Sequence, residues 1–500
     1  MVFRQPGFFR RMLIADARIP LVSMKPSLLL ACVFPVVSLA LAEDLPDPAI
    51  VKSAMRKAND YYVAKLASHG GYAREWKTDL SLAFVESKSS RTILSIQPQG
   101  TTTVGLAMLK AWQATGDEAY LNGARGAAKA LLDCQLESGG WPDDFDFEGG
   151  DPEKWWLRQE VLAGVTEQGK QHNSSTLDDN KSQSAMLFLL ELAHDPAGRE
   201  DVALQEGLKY ALDHLLAAQT TIGSWPQDFS TAAPPDGIVK KAVIPSTWSR
   251  EFPREKYTDY HTLNDGNLQV IVELLLRAHQ LTGEARYLDS AKRCGDFLLL
   301  AQFEGEQPAW AQQYNKEMVP MWARKFEPPA VSSVESLGAC FTLFEIWLAT
   351  GEEKYRSTIP RALDWLEKAR LPNGRWSRFY EFGTNRPLYC EAETYKLTYD
   401  DSNLPSHYGF QPEYTGSTIE RLRSDLARPR EDVLASQKDP DSPERWRKVM
   451  GNLRGKVKTA LESANADGVW VDDGKISAEL FVKRFNAMTA YVNAAAKANP

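Results

Sequence analysis

The sequence predicts an all-α fold: an (α/α) toroid of repeated helical hairpins with long loops over one mouth. Three observations predict it. A phrase recurs, as TGDEAYLNGARGAAKALLDCQLESGGW at 115–141, TGEARYLDSAKRCGDFLLLAQFEGEQPAW at 282–310 and TGEEKYRSTIPRALDWLEKARLPNGRW at 350–376, with a looser copy from Gly198 to Trp225. From Gly to Trp the copies run 25, 27, 27 and 25 residues, and a near-fixed internal length marks a helical array. Apolar residues recur at helical spacing, and strand-like alternation is scarce. Successive Thr-Gly marks lie 68 residues or more apart, beyond the roughly 34–47 residues of an open solenoid repeat. The excess length falls in irregular Trp loops, as expected of loops that cross the mouth of a closed ring.

Each element follows from local pattern. At the N-terminus Lys25 precedes the apolar run LLLACVFPVVSLALA, and Ala40-Leu41-Ala42 is a small-x-small site before Glu43. This reads as a secretory signal over 1–42, with translation starting at Met1 or Met24, and so as a secreted or periplasmic protein. The run is too short to span a bilayer, so no membrane contact is expected after its removal. Residues 43–500 then form one toroid domain. Val104–Leu109 carries into Trp112, and Ala185–Leu192, Leu268–Leu276 and Phe341–Leu348 are apolar on most faces. Each is followed by the Thr-Gly phrase or its looser copy and then by a second helix, such as Ala127–Leu132 or Cys294–Leu300. Gly supplies the left-handed cap, and the acidic residues behind it suit the next helix start. About 10 to 12 helices are expected from Pro46 onward. The charged stretch 425–450 reads as an exposed polar connection, and 451–500, with a further Trp turn and amphipathic helix, as the closing element.

Composition removes several function classes. The chain carries 58 basic and 66 acidic residues, a formal charge of −8, which argues against general nucleic-acid or anionic-membrane binding. An acidic polymer would be held by a local cluster of Arg and Lys. Of five Cys, Cys32 leaves with the signal. Cys134, Cys294 and Cys340 lie in helical apolar patterns and read as buried thiols, and without a C-x-x-C pair a zinc site is not expected.

The candidate chemistry lies in the loops. TLDDN at 176–180 and TLNDG at 262–266 place Asp179 and Asp265 in equivalent positions. Asp here is either a helix N-cap or a ligand. Asp265 has the richer setting, with Tyr257, Tyr260 and His261 before it and Gly266 after it. The run 309–336 crowds Trp310, Trp322, Arg324, Lys325 and Glu327 beside Pro328-Pro329, which break any helix. GRWSRFYEFGTNRP at 374–387 sets Arg375, Arg378 and Arg386 among Trp376, Phe379 and Tyr380. Rings interleaved with guanidinium groups suit sugars carrying carboxylates, although Arg stacked on Trp also fills surface grooves. Asp265, Glu327, Arg324, Arg378 and Arg386 at one mouth fit poorly to a glycosidase carboxylate pair. They suit an acidic sugar held through Arg, with a calcium ion on carboxylates.

YHTLNDGN, WAQQYN, ARKFEPPAVSSVES and WSRFYEFGTNRP, in this order, resemble polysaccharide lyase family 10, the α/α-toroid pectate lyases, over about 220–390. GSWPQDF at 223–229 looks like the family's Gly-Gly-Trp-Pro-Gln turn. The resemblance implies calcium-assisted β-elimination on polygalacturonate by a monomeric enzyme, with an arginine removing the proton at C5. By motif position it implies Arg378 as base and Asp265 as a catalytic, calcium-binding residue, with Glu327 as a second ligand. Arg324, Arg386, Trp310, Tyr260 and Lys325 would bind substrate. The chain departs from the family pattern at Asn315, at Leu388–Ala392, where a Gly-Arg-Asp step is expected, and at LPSHYGFQPEY, where an Arg-rich segment is expected. Another uronate substrate is compatible with these departures. So are an α/α-barrel glycoside hydrolase acting through Asp179 and Asp265 and, if catalysis is absent, a binding module. A terpene cyclase, suggested by QLESGGW and QTTIGSW, lacks its Asp-rich motif.

Overall fold

Five helices that are apolar on most faces lie side by side as an inner layer: Thr101–Thr115, Lys181–His194, Asn267–Thr282, Ser333–Thr350 and Ala478–Ala498. Such helices need burial on all sides. Thr101–Thr115 buries nearly every residue from Thr101 to Ala111, and Lys181–His194 does likewise. A second layer covers them: Glu118–Asp133, Val202–Ala217, Ala285–Ala301, Ile359–Lys368 and Pro443–Glu462, with Pro48–Tyr61 at the N-terminal side. These are amphipathic. Ile359–Lys368, for example, buries Ile359, Ala362, Leu363, Trp365 and Leu366 and leaves the other face to solvent. The computed structural model describes residues 45–233, 239–414, 416–437 and 441–498. The expected signal at 1–42 lies outside the described residues.

The ring closes through the C-terminus. Ala478–Ala498 packs on its partner Pro443–Glu462 and on both Pro48–Tyr61 and Thr101–Thr115. Tyr62 stacks on Phe481 at 3.9 Å between ring centroids, and Glu75–Lys77 pairs antiparallel with Lys475–Ser477, with Trp76 opposite Ile476. One hydrophobic core runs continuously from Val51 to Ala498. Gly116, Gly283 and Gly351 end three inner helices in the left-handed conformation that the Thr-Gly phrase predicts.

Two expectations change. Short strands are numerous, but each spans only two to four residues, too few to print an alternating pattern. The segment 425–450 is not a plain connection. It holds the helix Arg430–Ser436 and the first turns of Pro443–Glu462. Arg430 Nε donates to Leu348 O at 3.0 Å, capping the fourth inner helix, so the charge of this stretch serves a helix end.

Candidate active site

The repeat fixes a frame that recurs at every hairpin. Trp141, Trp225, Trp310, Trp376 and Trp470 are fully buried, and each indole N–H donates to a last-turn carbonyl of its own outer helix at 2.7–2.9 Å. The last carbonyls of a helix lack the next-turn donor that interior ones have; Leu298 O also accepts from Gln302 N at 3.1 Å. Two residues beyond four of these Trp, a backbone carbonyl accepts from the residue leading into the same hairpin's inner helix. The pairs are Ile96 N to Asp143 O at 3.2 Å, Leu177 N to Gln227 O at 2.8 Å, Leu263 N to Gln312 O at 2.9 Å and Ser333 N to Arg378 O at 2.9 Å. Asp143, Gln227, Gln312 and Arg378 are therefore equivalent positions. Each stands beside the turn that opens an inner helix, which holds Gln97, Asp178-Asp179, Asn264-Asp265 or Glu335.

At three of these turns a residue other than glycine is left-handed: Gln99, at φ 75°, and residues of the two acidic turns. Asp179 has φ 47° and ψ 29°, and Asp265 has φ 53° and ψ 26°; Asn180 and Gly266 follow, also left-handed. A non-glycine residue in this region costs roughly 1–3 kcal/mol and is kept where surrounding structure enforces it. Neither Asp makes an N-cap hydrogen bond, so the capping alternative fails. Instead, one carboxylate oxygen each from Asp178, Asp179 and Asp265 gather within 4.8 Å of one another. Burial, then the neighbouring Asp178, pushes Asp179 up to about 6. Burial also lifts Asp265 to about 7, outweighing Arg378, whose Nη2 stands 3.7 Å away. Gln97 donates to Asp179 at 3.1 Å and Asn264 to Asp265 at 2.7 Å. Lys181, only 3% exposed, reaches Asp143 at 3.0 Å and Asp178 at 3.6 Å.

Two guanidinium groups complete the constellation. Arg378 is 1% exposed, with Nη2 on Glu335 at 2.8 Å and on Asn264 at 3.1 Å. Burial opposes its charge, yet Glu335 and the surrounding acids hold it above the ordinary range. Arg324 keeps 39% of its side chain exposed and forms a fork on Glu327, with Nε at 2.8 Å and Nη2 at 2.5 Å. Glu327 is buried. Burial works against its charge, but Arg324 holds its carboxyl below the ordinary range. Arg324, Lys325, Phe326, Tyr257 and Phe252 line an open cleft of about 400 Å³.

Residues 148–374 match the family described as pectic acid lyase. No curated protein matches the chain. Among solved structures the chain is similar to a family 10 polysaccharide lyase from Cellvibrio cellulosa, at 18% identity over 65% of this chain and 97% of that one, with a TM-score of 0.43. A variant of a family 10 lyase from the same organism, in complex with trigalacturonic acid, is similar at 18% identity over 66% and 99% of the two chains, TM-score 0.43. A family 76 mannosidase from Bacteroides thetaiotaomicron aligns at 13% identity over 91% and 99%, TM-score 0.45.

The chain brings together Asp265 and Arg378, as the motifs lead one to expect, and sets other candidates apart. Glu327 is not with the three aspartates. Its oxygens are taken by Arg324 and by the Tyr408 hydroxyl at 2.8 Å, which leaves the acidic cluster to Asp178, Asp179 and Asp265. Trp310 presents no face to a substrate, because it is buried and spends its N–H on Leu298 O. Tyr260 is half-buried and its hydroxyl rests on Glu255 at 3.3 Å. Lys325 lies over Tyr395 and Arg386 over Tyr399, each at 3.5 Å from the ring centroid. Asp178, Lys181, Glu335 and Tyr408 escape the motif reading. For Lys181 a signal existed: aligning TLDDNK with TLNDGN puts a lysine where the other copy has Asn267.

Proposed function

We propose that this chain cleaves polygalacturonate, or a closely related acidic polysaccharide, by β-elimination assisted by calcium. The observation that carries the reading is three crowded carboxylates beside two fixed guanidinium groups at one mouth. The cluster fits a hard divalent cation: its donors are all oxygen, and burial, which raises the carboxyls of Asp179 and Asp265, is a cost to their charge that a bound cation would offset. Asp178, Asp179 and Asp265 would hold it. When bound, the cation supplies positive charge toward the uronate carboxylate, on which charge develops as the C5 proton leaves.

The chain's own residues divide the remaining work. A base must meet the substrate, and Arg378 is enclosed by Glu335, Asn264 and Tyr408. We therefore move the expected proton abstraction from Arg378 to Arg324, which stands in the wall of the open cleft. Arg378 remains a buried fixed charge that aligns Asp265 and Asn264. Lys325 and Arg386 are exposed and stacked, so their charges are available to further uronate carboxylates of a polymer. The N-terminal run supports export, with a mature chain beginning near Glu43.

The test is the product. Purified enzyme with polygalacturonate and calcium should yield oligouronides with the ultraviolet absorbance of a double bond conjugated to a carboxylate, and chelator should stop this until calcium is returned. Reducing ends without that absorbance would replace the lyase with a hydrolase.

A further inference from the structure

Tyr408 differs from several of the other buried tyrosines. Tyr62, Tyr314 and Tyr380 each donate their hydroxyl to a backbone carbonyl of the core, on Ser477, Ala301 and Ala369. Tyr408, only 8% exposed, aims its hydroxyl at a charged carboxylate, Glu327 Oε1, at 2.8 Å. Its ring lies near two cations, with Arg378 Cζ 4.8 Å and Arg324 Cζ 5.6 Å from its centroid. Phe326 at 4.7 Å and Phe410 at 5.1 Å fix the ring in a small satellite core. The strand of Arg378 is tied to the same stretch, because Arg378 N donates to Phe410 O at 2.7 Å. Tyr408 belongs to LPSHYGFQPEY, the stretch that departs from the family pattern.

We propose that Tyr408 is a positioning residue that sets Arg324 through Glu327 and braces Arg378 with its ring. The physical reason is geometric. The Glu327 carboxylate is a short bridge: Oε1 accepts from both Arg324 Nη2 and the phenol, and Oε2 accepts from Arg324 Nε. Without the phenol, that carboxylate would be held only by Arg324 itself, through the fork and through its backbone N–H on Oε2 at 3.0 Å. A ring face near two guanidinium groups also limits where either can move. The inference rests on Arg324 acting on the substrate, as proposed above.

Full-length Tyr408→Phe keeps the ring and removes the hydroxyl. The expected result is a melting temperature within about 2 °C of wild type, a kcat on polygalacturonate lowered about 10- to 100-fold with KM little changed, and an alkaline rise in rate displaced to higher pH. In the Glu327→Gln background the same change should have little further effect, because the hydroxyl acts through that carboxylate. Wild-type kcat, KM and pH profile in Tyr408→Phe would overturn the proposal, and so would an undiminished effect in the Glu327→Gln background. Nitrogen NMR of the Arg324 side chain needs no turnover. Its Nε–H signal should be sharp in wild type and exchange-broadened in Tyr408→Phe, and an unchanged signal would overturn the proposal even where no elimination is detected. Absence of unsaturated product from wild type would instead count against the lyase chemistry, so the two failures are distinguishable.

Discussion

Asp265 shows how a residue can be legible in type yet not in role. The repeated Thr-Leu-x-Asp phrase marks it as special, but a cap and a ligand are indistinguishable in sequence, since both want an oxygen before a helix. The left-handed backbone argues against the cap, and one Asp265 oxygen lies within 4.8 Å of one from Asp179. Asp265→Asn tests this cleanly, because Asn tolerates the same φ. Calcium-dependent turnover should fall at least about 100-fold, roughly 3 kcal/mol of transition-state stabilisation, while the fold is kept; kinetics with calcium titration checks it. A pH effect follows as well. Ligation needs the carboxylates ionised, so calcium affinity should strengthen as pH rises to about 7, the value to which Asp265 is lifted, and level off above it; calorimetric titration at several pH values measures this. On the catalytic side, Arg324 is held charged well above its ordinary range by Glu327. As base it acts only from its rare neutral form, so log kcat/KM should climb about one unit per pH unit through the alkaline range. A flat alkaline profile would remove Arg324 from the base role.

Among the elements, the repeated phrase proves to be a set of hydrogen-bonding staples. The Trp closes the outer helix onto its loop. The Gln six to eight residues earlier ties that loop to the next hairpin: Gln135 reaches Gly139 O and Gly207 O, both at 3.0 Å, and Gln219 reaches Gly223 O at 2.8 Å and Ser290 O at 3.0 Å. This explains why the phrase looks like the Gln-to-Trp turns of another fold class without sharing its chemistry. Trp225→Phe keeps the ring's packing but orphans Leu215 O, and should cost about 1–3 kcal/mol. Gly223→Ala should cost more, because φ is +103° and the added Cβ would stand 2.0 Å from Arg293 O. Denaturant unfolding of both variants gives the order, and a milder Gly223→Ala would contradict the close approach.

For the whole molecule, closure decides stability. Ala478–Ala498 is the inner helix through which the last hairpin meets the first, so deleting it exposes apolar faces of Thr101–Thr115 and Pro48–Tyr61 together. The truncated chain should lose cooperative unfolding in calorimetry, whereas an open solenoid would tolerate loss of a terminal unit. The charge at the mouth adds a second signature. Because Asp179 and Asp265 hold protons more tightly folded than unfolded, the metal-free protein binds excess protons between about pH 4 and pH 7. Its stability should therefore fall as pH rises through that window, and calcium or Asp265→Asn should flatten the decline. Melting temperature against pH, with and without calcium, measures it. Among the described residues no helix is long and apolar enough to cross a membrane.

The helical hairpins, their Gly caps and the loops in which charged side chains collect are legible in the sequence alone. These follow from periodicity and turn chemistry, which act over a few residues. Tertiary structure alone decided which charges meet. Asp178 and Asp265 are 87 positions apart, and Arg378 and Glu335 are 43 apart, yet each set converges because every hairpin brings the same two positions to the mouth. It also decided that Glu327 serves Arg324 rather than the acidic cluster, and that Trp310 is a staple. Carboxylate and indole carry no mark in sequence of the partner they will meet, since burial and distance are set by packing between hairpins.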